Sequence, residues 1–492
     1  MIGREFDQDL LAAVAEQPAS LLAGIEAVLD SGLVLTASAN NTRLRFKHAL
    51  IEDTAYASLP AKRCAELHGR VADALLNRFS ERIKREPELA ARHLTRARRE
   101  REASTWWQAA GGQALSRGAP REAAGHLRNG VAAVAKVPAG IDRDEAELGL
   151  LSMLGPTTMV LLGPGSGEFG DVQQRAHELS RRLPGQPRLF PTRYGWSLFN
   201  WGRAQLETAG ELAQQLLDEA ALRPGDPEAI MAANNMAGMV QFHCGCAGTA
   251  RDHLVLSTSI YDPQRDAKLY PVYLMDFGVF GRFYLALANH VLGFADDARS
   301  IAAEALTIAE GLNQPHTLGF AMLANFTTAV MRREPAVVLP MAERCLNFAE
   351  QFGFPEFVAM ARIARGWALA HAEQRWDEAL VDVQAGIVGW QATGFENWQP
   401  WFTSLEAEIL GHLGQHAQAL TRIEHQLQRI AANGEYQFES LLLAEQAAAW
   451  ASLPEYRSRA QAGFDSAASM ARDQGAVGWL EHIAHRRAQV TG

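Results

Sequence analysis

Seven small or aliphatic positions recur along this chain at nearly constant spacing: Ala209, Ala250, Ala298, Leu339, Ala379, Ala419 and Ala460. Five of the six gaps are 40 or 41 residues, and one, from Ala250 to Ala298, is 48. A fixed period of this size marks a repeat architecture, in which each unit buries its apolar face only against its neighbours. Around each position the text is alike: an apolar segment, a turn often marked by glycine (Gly245, Gly293, Gly414), the small residue, then a second amphipathic segment. Small residues let two antiparallel helices approach closely, and larger ones seal the core between units. The pattern is that of a tetratricopeptide-like hairpin, whose usual period is about 34 residues. The surplus of about six residues implies that each helix is longer by most of a turn, at 3.6 residues per turn. The expected fold is therefore all-α: a TPR-like superhelix over residues 101–492, with a concave surface for ligands or partners and no chemistry of its own.

Composition agrees with this and excludes other classes. The chain has 492 residues, 48% hydrophobic and 21% charged, with a formal net charge of -10, which argues against a nucleic-acid coat protein. Four cysteines in so long a chain make no disulfide framework and fit a reducing cytosol. No run of about 18 apolar residues appears, so no membrane helix is expected and the chain reads as cytoplasmic.

Residues 1–100 break the repeat. Leu10, Leu11, Val14, Leu21, Leu22, Ile25, Val28 and Leu29 fall at helical spacing, with Pro18 opening a second helix and Gly32 ending it. Leu33-Val34-Leu35 and Leu44-Arg45-Phe46 flank the turn-rich Ser38-Ala39-Asn40-Asn41, as in a β-hairpin. Two helices and one hairpin make a small winged-helix domain, followed by amphipathic helices from Ala49 to Leu59 and Arg63 to Phe79. Arg43, Arg45 and Lys47 would line one hairpin strand, but Glu5, Asp7, Asp9, Glu16, Glu26 and Asp30 would repel a duplex, so DNA is not the expected partner.

The most specific text is Ile2-Gly3-Arg4-Glu5-Phe6, Gly32-Leu33-Val34, and Phe46-Lys47-His48-Ala49-Leu50-Ile51-Glu52-Asp53-Thr54-Ala55-Tyr56. It resembles the winged-helix segment of bacterial STAND signal-transduction ATPases, especially the large proteins that join a class III adenylate/guanylate cyclase domain, an AAA-type ATPase and a carboxy-terminal TPR array. Asp276-Phe277-Gly278-Val279, Gly353-Phe354-Pro355 and Gly366-Trp367-Ala368-Leu369 look like that array. The resemblance implies a signalling scaffold that couples an effector or protein partner to a nucleotide-switched ATPase or cyclase module. It also implies that His48 is the nucleotide sensor of a complete ATPase assembly. The sequence itself holds no Gly-x4-Gly-Lys-Ser/Thr loop and no recognisable pair of cyclase aspartates, so no enzyme activity is expected and ATP or ADP would come only with a separate ATPase module. The same class includes maltose-type transcriptional activators, but residues 453–492 look like a repeat pair rather than a helix-turn-helix.

Three further motifs reduce to structure. Gly165-Ser166-Gly167-Glu168-Phe169-Gly170 matches a dinucleotide fingerprint but follows a helical segment instead of a strand, so a helix-helix loop is expected. His243-Cys244-Gly245-Cys246 offers three soft ligands where a structural zinc needs four, and reads as a repeat turn. The aromatic clusters around Trp196 and Trp201 and around Trp398 and Trp401 suit core packing first, and partner contact second.

Overall fold

A computed structural model describes residues 3–16, 18–37, 43–183, 189–273 and 275–491. The chain divides into two compact units, Met1–Leu154 and Gly155–Gly492. The division falls inside one helix, Ile141–Leu162.

In the first unit, β1 (Glu5–Asp7), β2 (Val34–Thr36) and β3 (Arg43–Phe46) form an antiparallel sheet in the order β1-β3-β2. The hairpin expected from the sequence is present as β2 and β3, but β1 joins its free edge in register Phe6↔Leu44. Three residues were too few for the alternation of a strand to be read beforehand. The turn at Ser38 to Asn41 lies outside the described residues. Leu10 and Val14 of the helix Gln8–Val14 pack on Val71, Leu75, Ile83, Leu94 and Trp107. The helix Pro18–Asp30, by contrast, has no fully buried residue among those described. A first repeat-like hairpin, Glu100–Ser116 with Pro120–Val134, belongs to this unit.

In the second unit, helical hairpins follow one another. Six of them pair Leu189–Gly202 with Leu206–Ala221, Pro227–His243 with Ala247–Ser259, Phe277–Val291 with Ala295–Leu312, Pro315–Met331 with Pro335–Phe352, Pro355–Glu373 with Trp376–Ala392, and Gln399–His412 with His416–Asn433. Glu439–Ser452, Ala460–Asp473 and Val477–Thr491 complete it. This is the TPR-like array of the sequence reading. The small residue is the fourth of the second helix in five of these pairs: Ala209, Ala250, Ala298, Ala379 and Ala419, all buried. In the remaining pair the buried residue at that place is Val338, and Leu339 sits one position off it, half-buried.

The tolerance at these crossings is small. A Cβ on Gly366 would fall 2.7 Å from the carbonyl of Ala379, and one on Gly238 would fall 3.1 Å from that of Ala250. The longer gap before Ala298 is filled by short turns, Pro263–Asp266, Ala267–Leu269 and Tyr270–Tyr273, which bury Tyr273 against Tyr194 and Phe277.

Each turn between paired helices uses one left-handed residue: Ala204, Gly245, Gly293, Arg333, Gln374 and Gly414. The next amide reaches back into the first helix, as in Cys246 N–H to the Gln241 carbonyl (2.9 Å) and Phe294 N–H to that of Asn289 (2.8 Å). Such bonds satisfy carbonyls that a helix end leaves open, which is why glycine marks three of the six turns.

Candidate functional site

The interior of the array is where its chemistry concentrates. His243 is the last residue of the helix Pro227–His243, and the left-handed turn at Gly245 (φ 81°) follows it. Its ring is fully buried, with Nδ1 2.9 Å from Glu435 Oε1, a residue that lies 192 positions later. The same oxygen accepts the backbone N–H of Trp398 at 2.6 Å. A carboxylate oxygen only accepts, so His243 Nδ1 carries a proton, and Nε2 faces the Tyr284 hydroxyl at 3.4 Å. Trp398 has a left-handed backbone (φ 67°), which costs a bulky residue about 1–2 kcal/mol. The charge-assisted bond to Glu435 offsets that strain.

Aromatic rings close around this node. Trp398 lies 5.1 Å from His243 edge to face, 5.6 Å from Trp401 and 5.7 Å from Phe438. Trp201 approaches His243 at 5.6 Å and Phe395 at 5.8 Å. Backbone contacts run alongside: the Gly202 carbonyl accepts from Glu396 N–H (2.8 Å), and Arg203 donates to the Gly394 carbonyl (2.9 Å). Gly165 and Gly394 pass so closely that a Cβ on either would overlap the other's backbone. The glycine-rich segment at residues 163–167 thus serves a backbone crossing, with Ser166 capping the helix Gly167–Ser180. Early and late hairpins of the array meet directly, and aromatic side chains fill the space between them.

Trp201, Trp398 and Trp401 are all buried in this interior. Trp196 is half-buried and stacks on Phe199 at 5.3 Å. The sequence missed Glu435 altogether, because nothing local distinguishes one glutamate in a turn. His243 was legible only as part of a repeat turn.

A second buried pair, His316 Nε2 to Glu356 Oε1 at 3.1 Å, sits among Phe320, Phe354 and Phe357. Two charged networks lie farther along. Arg333 grips Glu408 through both terminal nitrogens and lies over the Trp367 ring at 5.0 Å, while His371 stands 3.5 Å from the same carboxylate. Burial opposes ionisation of Glu408, but Arg333 and His371 hold its carboxyl well below the usual carboxylate range. Arg486 binds Glu445 at 2.6 and 2.7 Å, with His482 at 3.7 Å.

In the first unit His48 is exposed, precedes the helix Ala49–Ala57, and makes no side-chain cap to it. Asp53 is exposed on that helix, while Tyr56 enters a relay. Arg96 donates to the Tyr56 hydroxyl (2.7 Å), which lies 3.0 Å from His68 Nε2, and His68 Nδ1 lies 2.9 Å from His93 Nδ1. If the Tyr56 hydroxyl donates its hydrogen bond to His68 Nε2, His68 Nδ1–H donates in turn to His93 Nδ1, a consistent set for two neutral rings. Arg43 is engaged by Glu5 (3.4 Å) and Asp7 (3.2 Å), so β1 neutralises part of the basic strand. No helix among the described residues is long and apolar enough to cross a membrane.

No family model matches this chain, and no curated protein matches it. Solved structures do. A Rap protein complexed with Competence and Sporulation Factor aligns with TM-score 0.53 at 13% identity, over 79% of this chain and 99% of that one. That likeness establishes the helical-repeat fold. A STAND protein with a tetratricopeptide repeat sensor from Pyrococcus horikoshii aligns at TM-score 0.36 and 12% identity, over 79% of this chain and 60% of that one. The APC/C hetero-tetramer Cut9-Hcn1 aligns at TM-score 0.33 and 12% identity, over 97% and 98%.

Proposed function

We propose that this chain is a non-catalytic signalling scaffold: its helical array takes a protein or small effector, and its amino-terminal unit engages a nucleotide-switched ATPase or cyclase module. The observation that carries this reading is an apolar face left open in the first unit. A groove of about 550 Å³ runs between Leu11, Leu21, Ile25, Val28, Val34 and Phe46, and on the helices Pro18–Asp30 and Ala49–Ala57 of the same unit Leu22 is 71% and Leu50 74% exposed. Exposed aliphatic residues so grouped mark an interaction surface. His48 is exposed on the same unit, as a sensor reached from a docked module requires. In the Rap neighbour the same fold is found complexed with a factor, which supports an effector-binding role for this array. The scaffold works in the cytoplasm, takes ATP or ADP only through its partner, and is either a separate subunit or a piece of a larger ATPase–cyclase protein.

Mechanism on this reading is population shift, because an effector biases a switch only through unequal affinity for its two states. Hydrolysis by the chain itself is not expected, since no preorganised counter-charge for a transferring phosphoryl group is present in the sequence. Purified protein should turn over neither ATP nor GTP with Mg²⁺ or Mn²⁺. With a STAND ATPase supplied in trans, Leu22→Asp should abolish association, and His48→Ala should change the ADP release rate while association persists. Turnover by the chain alone, or ADP release unaffected by either substitution, would overturn the reading.

A further inference from the structure

The array carries an open cleft, distinct from the closed aromatic interior. A cleft of about 550 Å³ is bounded by the ends of three successive first helices and by the last helix, through His290, Arg332, Arg333, His371, His482 and His485. That volume suits a small ligand. Its lining is rich in nitrogen donors and has one carboxylate, Glu481, which is exposed. The fixed charges around it are otherwise matched: Arg333 by Glu408, and Arg332 by Glu334 (3.2 Å) and Asp296 (3.6 Å). Among the lining residues Trp367 Nε1 and His371 Nε2 lack a hydrogen-bond partner, and the one ring lacking a partner at both nitrogens is that of His290. His290 is 5% exposed.

A buried imidazole without partners is uncommon and calls for a cause, because each form of the ring carries at least one N–H that must be desolvated. The neighbours narrow it. Trp479 packs on the ring at 5.2 Å and supplies no acceptor, while Arg332 lies close enough for its charge, after burial itself, to press the ring's pKa down to about 4. A negatively charged acceptor entering the cleft would take the His290 N–H beside the Arg332 guanidinium, which it would share with Glu334 and Asp296.

We propose that this cleft binds the oxyanion of a small ligand, a phosphate or carboxylate group, between His290 and Arg332. The inference deepens the scaffold reading by naming the chemistry of its effector, and rests on that reading for its meaning. Two sources share this chemistry, phosphorylated metabolites and polycarboxylates, so both are used as probes.

Calorimetric titration of the full chain with inorganic pyrophosphate and with citrate, at constant ionic strength, is the test. Binding of one or both is expected, and which one binds identifies the source. His290→Phe, which keeps the ring packed on Trp479 but removes both nitrogens, and Arg332→Gln should each weaken binding about tenfold or more, the loss of one charge-assisted bond. Arg203→Gln, a basic residue at the interior crossing, should leave it unchanged. Because Arg332→Gln also removes structural bonds, the wild-type chain labelled with ¹⁵N-histidine provides a second readout: the His290 ring resonances should shift on addition of the probe. No heat with either probe, equal affinity in His290→Phe, or unmoved His290 resonances would overturn the proposal. Those results leave partner association intact, whereas failure of the scaffold reading would appear as lost association with anion binding retained.

Discussion

His68 and His93 show how far a pair of residues can be understood from its surroundings. Burial, reinforced by the charge of Arg96, lowers His68 to about 4, and burial with His68 beside it lowers His93 to about 3, from an ordinary value of 6.5. Both rings thus stay neutral in the fold. Below pH 6.5 the unfolded chain takes up protons that the folded chain refuses, so the stability they contribute at neutral pH is lost as pH falls toward 4 and then 3. The slope is at most about 1.4 kcal/mol per pH unit for each histidine. Denaturant midpoints measured from pH 7 to 4 should fall faster in wild type than in a His68→Gln/His93→Gln double variant. Parallel profiles would place the acid sensitivity elsewhere. The sequence could not show this relay, because His93 lies 25 residues beyond His68 and meets it only when their helices pack.

At the scale of helices and turns, the repeat was legible because crossing geometry demands small residues at fixed places. Ala298 is fully buried at such a crossing. Ala298→Trp should overpack it and cost about 1–3 kcal/mol, or more if the backbone cannot shift, with a lower denaturation midpoint. The displaced position at Leu339 has a simple cause: Val338 and Leu339 are both aliphatic, and spacing alone does not say which one faces inward. The turns were half legible. Glycine announced three of them, but Ala204, Arg333 and Gln374 adopt the same left-handed backbone without that signal. Gln374 is exposed and follows the helix Pro355–Glu373. Gln374→Gly should therefore raise stability by about 0.5–1 kcal/mol, since relief of strain outweighs the greater freedom of the unfolded chain. A lowered midpoint would mean that the glutamine side chain contributes more than its backbone costs.

Across the second unit, the His243–Glu435–Trp398 node joins hairpins that the sequence separates by nearly two hundred residues. Glu435→Ala would leave the His243 N–H and a strained Trp398 amide without their acceptor in an interior closed to water, at a cost of about 3–5 kcal/mol. Glu435→Gln restores one acceptor and should recover part of that loss. The predicted signature is premature hydrogen exchange at the Trp398, Glu396 and Asn397 amides in Glu435→Ala, ahead of global unfolding. Exchange that stays uniform with the rest of the array would show that the node contributes stability without closing anything.

The sequence alone determined the helical-repeat architecture, its period and its small-residue crossings, because hydrophobic periodicity and close packing act between neighbours along the chain. It also made the hairpin of the first unit legible, though not the edge strand that joins it. Only the tertiary structure decided whether the inner surface stays open, which tryptophans face it, and which histidines find partners. Those outcomes depend on small rotations summed from one hairpin to the next, and no single repeat encodes the sum. That is why Trp201 and Trp398 could be marked as aromatic clusters from the sequence, while their meeting around His243, and the unpartnered ring of His290 in a donor-lined cleft, appeared only once the array was built.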